Sequence, residues 1–129
     1  GSNAVSPAPT WGKVNSVAEL DAAIAASAAQ NKPVMLDFYA DWCVSCKEME
    51  SFTFSDPKVQ ARLADVVLLK ADVTANSEAD KALLKRFSLF GPPGIIFFDR
   101  QGQERQGLRV VGYQPAEKFI KVLNTALGG

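Results

Sequence analysis

Val34-Met35-Leu36-Asp37-Phe38-Tyr39-Ala40-Asp41-Trp42-Cys43-Val44-Ser45-Cys46-Lys47 is the stretch on which the reading of this chain turns. Val34–Ala40 is almost continuously apolar, the pattern of a strand covered on both faces of a parallel sheet. Asp41-Trp42 leads out of it, and Cys43 to Phe52 reads as a helix. Both cysteines therefore sit where a buried strand hands over to a helix start. Unsatisfied backbone N–H groups and the helix dipole favour a thiolate there. Cys43 is the expected nucleophile, exposed at the junction. Cys46, one turn further on, is placed to attack a mixed disulfide at Cys43 and release its partner.

These are the only two cysteines among 129 residues, and there is no histidine. Two cysteines placed at random would fall at this spacing only about 1.5% of the time, so coincidence explains little. The missing histidines remove Ser-His and Cys-His nucleophile pairs, His-ligated zinc and c-type haem attachment. Two thiols alone cannot close a four-ligand zinc site. A disulfide across two residues constrains the unfolded chain too little to be there for stability. Redox chemistry by the cysteine pair itself, with no cofactor and no metal, is the better reading. Fourteen basic and fourteen acidic residues cancel, which argues against a nucleic-acid or polybasic membrane-surface partner. With 47% hydrophobic residues the chain has enough apolar mass for one globular domain, and no run approaches the ~18 residues of a membrane span.

Outward from the motif, Gly1-Ser2-Asn3-Ala4 reads as a tag-cleavage remnant, residues 5–10 as a Pro-containing linker, and 11–129 as the domain. A short strand is expected at Trp11–Val14. Ser16 with Glu19 forms a capping box for a helix running to about Ala29, ended by Asn31-Lys32-Pro33. Asp56-Pro57 starts another helix through Val59 and Leu63; Val66–Val73 is a strand and Glu78–Phe87 a helix. Gly91-Pro92-Pro93-Gly94 precedes the strand Ile95–Phe98, whose Phe97 and Phe98 belong in the core. A turn at Asp99–Gly102 leads to a strand near Leu108–Val111, and Pro115 opens a final helix. This succession of strands and helices makes an α/β fold: a central mixed β-sheet flanked by helices on both faces.

Val34–Lys47 resembles the active-site strand and helix of thioredoxin-like proteins. Together with Thr53-Phe54-Ser55-Asp56-Pro57, Val73-Thr74-Ala75-Asn76 and Phe97-Phe98-Asp99, it is similar to the C-terminal periplasmic domains of the DsbD family of bacterial membrane reductases. The resemblance runs from about Trp11 to Leu127 in the same order. It implies a thioredoxin-like fold and a protein-disulfide reductase in the periplasm, part of an inner-membrane protein. Such a domain takes electrons from a transmembrane domain and passes them to an N-terminal periplasmic domain, in transient contacts and as a monomer. Cys43 is then the attacking thiol, Cys46 the resolving one, and Cys43–Cys46 a redox-active disulfide. Pro93 matches the cis-proline that lies beside the cysteines. Pro92 before it presents backbone to the partner through its carbonyl alone, having no N–H. Relatives often carry an apolar residue and Thr where Pro92 and Gly94 stand.

Asp37 lies inside the apolar strand, where burial raises a carboxyl pKa. Its residue type and place fit either a buried Asp satisfied by neighbours or, as the resemblance implies, a proton acceptor for Cys46. Glu50 lies four residues after Cys46 and seven after Cys43, on one helical face with both. Periodicity alone makes it a solvated helix carboxylate; the resemblance makes it a second active-site acid. Lys70 either points outward or opposes the shift at Asp37, and Lys47 either supports the thiolate or is simply solvated. Trp42, flanked by Tyr39, is expected as a cover over the dithiol, with Val44, Ser45 and Pro92 completing the partner-binding surface. Two alternatives stand beside the relay: an independent membrane-tethered reductase serving cytochrome c maturation or another client, and a Cu(I) or Zn(II) dithiol carrier. Carriers usually set the pair in a loop beside a methionine or histidine, whereas Met49 is well along the helix.

Overall fold

The computed structural model describes residues 10–128, so the expected tag remnant and residues 5–9 of the expected linker lie outside the described residues. The elements are β1 (Trp11–Lys13), α1 (Val17–Ala29), β2 (Val34–Tyr39), α2 (Val44–Glu48), α3 (Pro57–Arg62), β3 (Val67–Asp72), α4 (Glu78–Arg86), β4 (Gly94–Phe98) and α5 (Ala116–Ala126). Four strands form one sheet in the order β1-β3-β2-β4. β1, β3 and β2 run parallel, and β4 runs antiparallel against β2.

Every residue of β2 is buried. Leu36 and Phe38 face a core completed by Leu20 and Ile24 of α1, Leu83 and Leu84 of α4, and Ile96 and Phe98 of β4. Met35 faces a second core with Val59, Leu63 beyond α3, Ile95, Phe97, and Phe119 and Leu123 of α5. α1 and α4 thus cover one face of the sheet, and α3 and α5 the other. This is the expected mixed sheet with helices on both sides.

Local chemistry sets the helix starts. Asp56 accepts hydrogen bonds from the Lys58 and Val59 N–H groups at 2.8 and 3.3 Å, with Pro57 at the first helical position. Ser16 caps α1 by accepting from the Glu19 N–H at 3.1 Å, but the Glu19 carboxylate reaches back to the Asn15 N–H, one residue short of a reciprocal box. The reciprocal box belongs to α4: Ser77 Oγ accepts from the Asp80 N–H at 3.1 Å and Asp80 Oδ2 from the Ser77 N–H at 3.0 Å.

Two expectations change. The helix over 43–52 is not uniformly α-helical: after Glu48 it widens into a π turn, Met49–Thr53, marked by the Phe54 N–H bonding to the Met49 carbonyl. The strand expected near Leu108–Val111 does not form. The limb that returns along β4 pairs with it as two isolated bridges, Ile95–Val110 and Phe98–Glu104, the second flanked by the Arg105 N–H bonding to the Phe97 carbonyl. Between those pairs β4 advances three residues and the return limb six, so the surplus loops out through a turn at Gly107, whose φ of +84° suits glycine.

Replacing Ser77 by Ala removes one half of the reciprocal box and is expected to cost about 1 kcal/mol in urea denaturation. An unchanged denaturation midpoint would show that the box does not hold the start of α4.

Candidate functional site

Cys43 is the N-cap of α2, with extended backbone (φ −94°, ψ 104°). The Cys46 N–H points at its sulfur from 3.2 Å, so a free backbone donor of the first turn faces the atom that carries charge as a thiolate. The two sulfurs are joined in a disulfide with the Cα atoms 5.3 Å apart. Cys46 Sγ also lies 3.7 Å from the carbonyl oxygen of Phe38, the residue after Asp37. Cys43 is only 6% exposed, where an exposed nucleophile was expected, because both cysteines pack into the α1–α4 core. What solvent meets at this end is Trp42 and Val44, 60% and 73% exposed, with Ser45 half-buried between the cysteines.

Trp42 is held from behind: its indole N–H donates to the Thr74 carbonyl at 3.1 Å, and the Asp41 N–H donates to Thr74 Oγ1 at 2.9 Å. Thr74 is fastened in turn to the Asp72 carboxylate by its N–H and its hydroxyl. The loop after β3 thereby sets the loop that carries Cys43. The Pro92–Pro93 bond is cis, and both prolines are partly buried. A Cβ on Gly94 would stand 2.9 Å from Leu89 Cδ1, so the Leu89 side chain fills the space a larger residue would need. Phe90, in the same loop, is fully exposed. Sequence reasoning did not single it out, although an aromatic residue directly before Gly-Pro-Pro-Gly has no partner in the strand pattern around it.

Asp37 is 5% exposed, in register with Lys70 on β3 and Ile95 on β4. Burial is the main influence on its carboxyl and pushes the pKa up to about 7; the Lys70 charge pulls it down, and the Glu50 charge adds to the rise. Lys70 does not point away from the site. Its ammonium bonds Glu50 Oε2 at 2.7 Å, and the Lys70 side chain is only 19% exposed. Glu50 is therefore no free solvated carboxylate; it leaves the π turn toward Lys70. Asp37, Lys70 and Glu50 form one electrostatic cluster under the disulfide-bearing helix. Lys47, fully exposed, places its ammonium 5.4 Å from the Tyr39 ring, and hydrogen bonding with Tyr39 raises its pKa. Among the described residues, no three His, Cys, Asp or Glu side chains converge on a metal-sized site, and no helix is long and apolar enough to cross a membrane.

Residues 20–127 match the model of a thioredoxin-like domain family. The chain is 63% identical over 116 residues to the thiol:disulfide interchange protein DsbD of Ralstonia nicotianae, covering 90% of this chain and 19% of that protein. Among solved structures, the oxidised C-terminal domain of Neisseria meningitidis DsbD superposes with a TM-score of 0.76 at 37% identity, covering 88% of this chain and 98% of that one. A Thermus thermophilus thioredoxin gives 0.73 at 26% identity, covering 92% and 86%. The chain thus spans about a fifth of the curated relatives it matches and nearly all of the solved C-terminal domain. A thioredoxin-like fold with a Cys-x-x-Cys disulfide at a helix start is the apparatus of a disulfide oxidoreductase, and its chemistry is thiol–disulfide exchange.

The raised pKa of Asp37 carries a stability consequence. Between pH 3.8 and about 7 the folded chain holds a proton that the unfolded chain has released. Stability from this group is therefore lost as pH rises through that window and is flat above it, an effect on the order of a few kcal/mol. Asp37→Asn removes the slope, so its stability advantage over the wild type in urea should widen from pH 4 to pH 7. A difference that stays constant across this range would place the Asp37 pKa near its ordinary value.

Proposed function

The chain belongs to the thioredoxin-like domain family and, within it, to the C-terminal domains of DsbD; from that premise we propose that it relays electrons in the periplasm, from the transmembrane domain of a DsbD-type reductase to an N-terminal periplasmic domain. The observation that carries the reading is the Cys43–Cys46 disulfide at the start of α2, with Cys46 Sγ 3.7 Å from the carbonyl of Phe38, the residue after the buried Asp37.

In the reduced domain the Cys43 thiolate attacks a disulfide of the acceptor, forming a mixed disulfide and expelling one acceptor thiolate, which takes up a proton. Cys46 gives its proton to Asp37 and attacks Cys43 Sγ. That step breaks the mixed disulfide, releases the second acceptor thiol and leaves the Cys43–Cys46 disulfide. Two electrons have passed to the acceptor. A dithiol of the transmembrane domain restores the pair by the reverse sequence. Asp37 accepts and returns the resolving proton, while Glu50, tied to Lys70, sets the field around it. A carboxyl near neutral pKa can do this in both directions, which a relay requires.

Docking falls to the surface around the disulfide: Trp42, Val44 and Ser45 on one side, Pro92 and Pro93 on the other. Pro92 offers the acceptor chain its carbonyl and no N–H. Nearly buried sulfurs keep the pair out of adventitious exchange until that surface is engaged. The contact is small and short-lived, one partner at a time on a single copy of the domain.

The test is to trap the intermediate. Reduced Cys46→Ala protein, mixed with the oxidised N-terminal domain of a DsbD relative, should accumulate a covalent complex that dithiothreitol cleaves; Cys43→Ala protein should accumulate none. Trapping by the Cys43→Ala variant instead would reverse the roles of the two cysteines. Absence of a complex with either variant would remove this acceptor from the proposal.

A further inference from the structure

Lys70 lies on β3 with its ammonium only partly exposed, and a cation in such a place needs more than one partner to stay put. One partner is the Glu50 carboxylate. The others are two aromatic rings: Lys70 Nζ is 4.6 Å from the centre of Tyr39 and 5.4 Å from that of Trp11. Both distances fall within cation–π range, and indole offers the strongest ring face for the purpose. Tyr39 is shared, since Lys47 also sits 5.4 Å from its ring. Trp11 holds no other cation among the described contacts.

Trp11 is the first residue of β1, the three-residue edge strand, and is in register with Leu68 while Lys13 is in register with Lys70. In a parallel pair, alternate residues share a face, so Trp11 and Lys70 project to the same side of the sheet. The indole is fixed there by tilted stacking on Phe54 at 5.4 Å, and Phe54 stacks edge-on against Phe119 at 5.7 Å. It touches neither cysteine.

From this geometry we infer that Trp11 is a positioning residue: with Tyr39 it seats the Lys70 ammonium against Glu50, and so sets the field felt by Asp37 from the edge of the sheet. The attachment of β1 at the sheet edge and the electrostatics of the cysteine site are thereby linked through one side chain. Around the seat stand Lys13 from β1, Asp37 and Tyr39 from β2, Asp72 from β3, Lys47 from α2 and Glu50 from the π turn, with Asp41 hydrogen-bonded to the Tyr39 hydroxyl. Among the described residues, Lys70 is the cation that bonds Glu50. When Trp11 loses its ring, Lys70 is less firmly held, and its stabilisation of the Asp37 carboxylate weakens. Glu50, less neutralised, adds to the same effect. Both changes favour the protonated carboxyl, so the direction is unambiguous. For the relay, and resting on the proposed part of Asp37 in it, a looser seat would leave Asp37 protonated at higher pH and slow the loss of the Cys46 proton.

The experiment titrates Asp37 by carboxyl-carbon NMR in the oxidised chain, where no thiol exchange intervenes. Trp11→Met keeps an apolar contact with Phe54 but removes the ring face; Trp11→Phe keeps a ring. The Asp37 midpoint should rise in Trp11→Met by roughly a few tenths of a pH unit. It should rise further in Lys70→Met and not move again when Trp11→Met is added to Lys70→Met. Trp11→Phe should restore most of the wild-type midpoint. Tyr39→Leu removes the second ring and should shift the midpoint in the same direction, which keeps the test available if Trp11→Met folds poorly. A Trp11→Met or Tyr39→Leu protein that is less stable but titrates like wild type would overturn the inference. So would an equal shift with and without Lys70. Either result leaves thiol exchange at Cys43 and Cys46 untouched, and a failure of the trapping experiment leaves this coupling measurable.

Discussion

One carboxyl group in a strand with no exposed residue is the constraint around which this molecule is arranged. β2 supplies side chains to both cores and cannot move without disturbing each. Asp37 interrupts it at the position next to the peptide that Cys46 touches. An isolated charge there is expensive, and the fold neither removes the carboxyl nor pairs it directly. It places a half-buried ammonium within electrostatic reach and then occupies that ammonium with a second carboxylate. The outcome is a group whose proton is held loosely near neutral pH. A tighter ion pair would lock Asp37 in its charged form, and a bare apolar site would lock it neutral; neither could pass a proton back and forth.

The cysteine motif depends on the same strand for its position. Because β2 is pinned, the loop Ala40–Trp42 delivers Cys43 to a fixed place as the cap of α2, and Thr74 ties that loop to the end of β3. The two sulfurs, Asp37 and Glu50 are thus carried by one continuous segment, and Lys70 reaches them from β3. The return limb after β4 loops out through a turn, and Leu89 fills the space beside Gly94; neither feature lies on β2.

Much of this was legible from residue order alone. The apolar run Val34–Ala40, the Asp56-Pro57 helix start and the spacing of Cys43 and Cys46 are local signals, and the structure carries them as read. The pairing of Lys70 with Glu50 was not legible, because it joins residues twenty apart through a π turn that the 3.6-residue periodicity does not anticipate. Residue order alone therefore leaves Lys70 two orientations. The fifth strand was lost for a different reason: alternation in Leu108–Val111 is a local pattern, whereas pairing also requires the two limbs to advance at equal rates. The depth of Cys43 escaped notice because a helix N-terminus says where a sulfur is, not what packs over it. The exposure of Phe90 and the cation–π contact of Trp11 are not legible in residue order, since both are properties of tertiary neighbours.

The claim that joins these observations is that the Cys43–Cys46 pair works as a donor of electrons. Its most direct test is the reduction potential of the disulfide, measured by equilibration with a defined thiol/disulfide buffer. A donor in a reducing relay should lie below about −220 mV, toward the thioredoxin end of the range. A value near about −120 mV, that of a strong oxidant, would contradict the account and make the domain a source of disulfides instead.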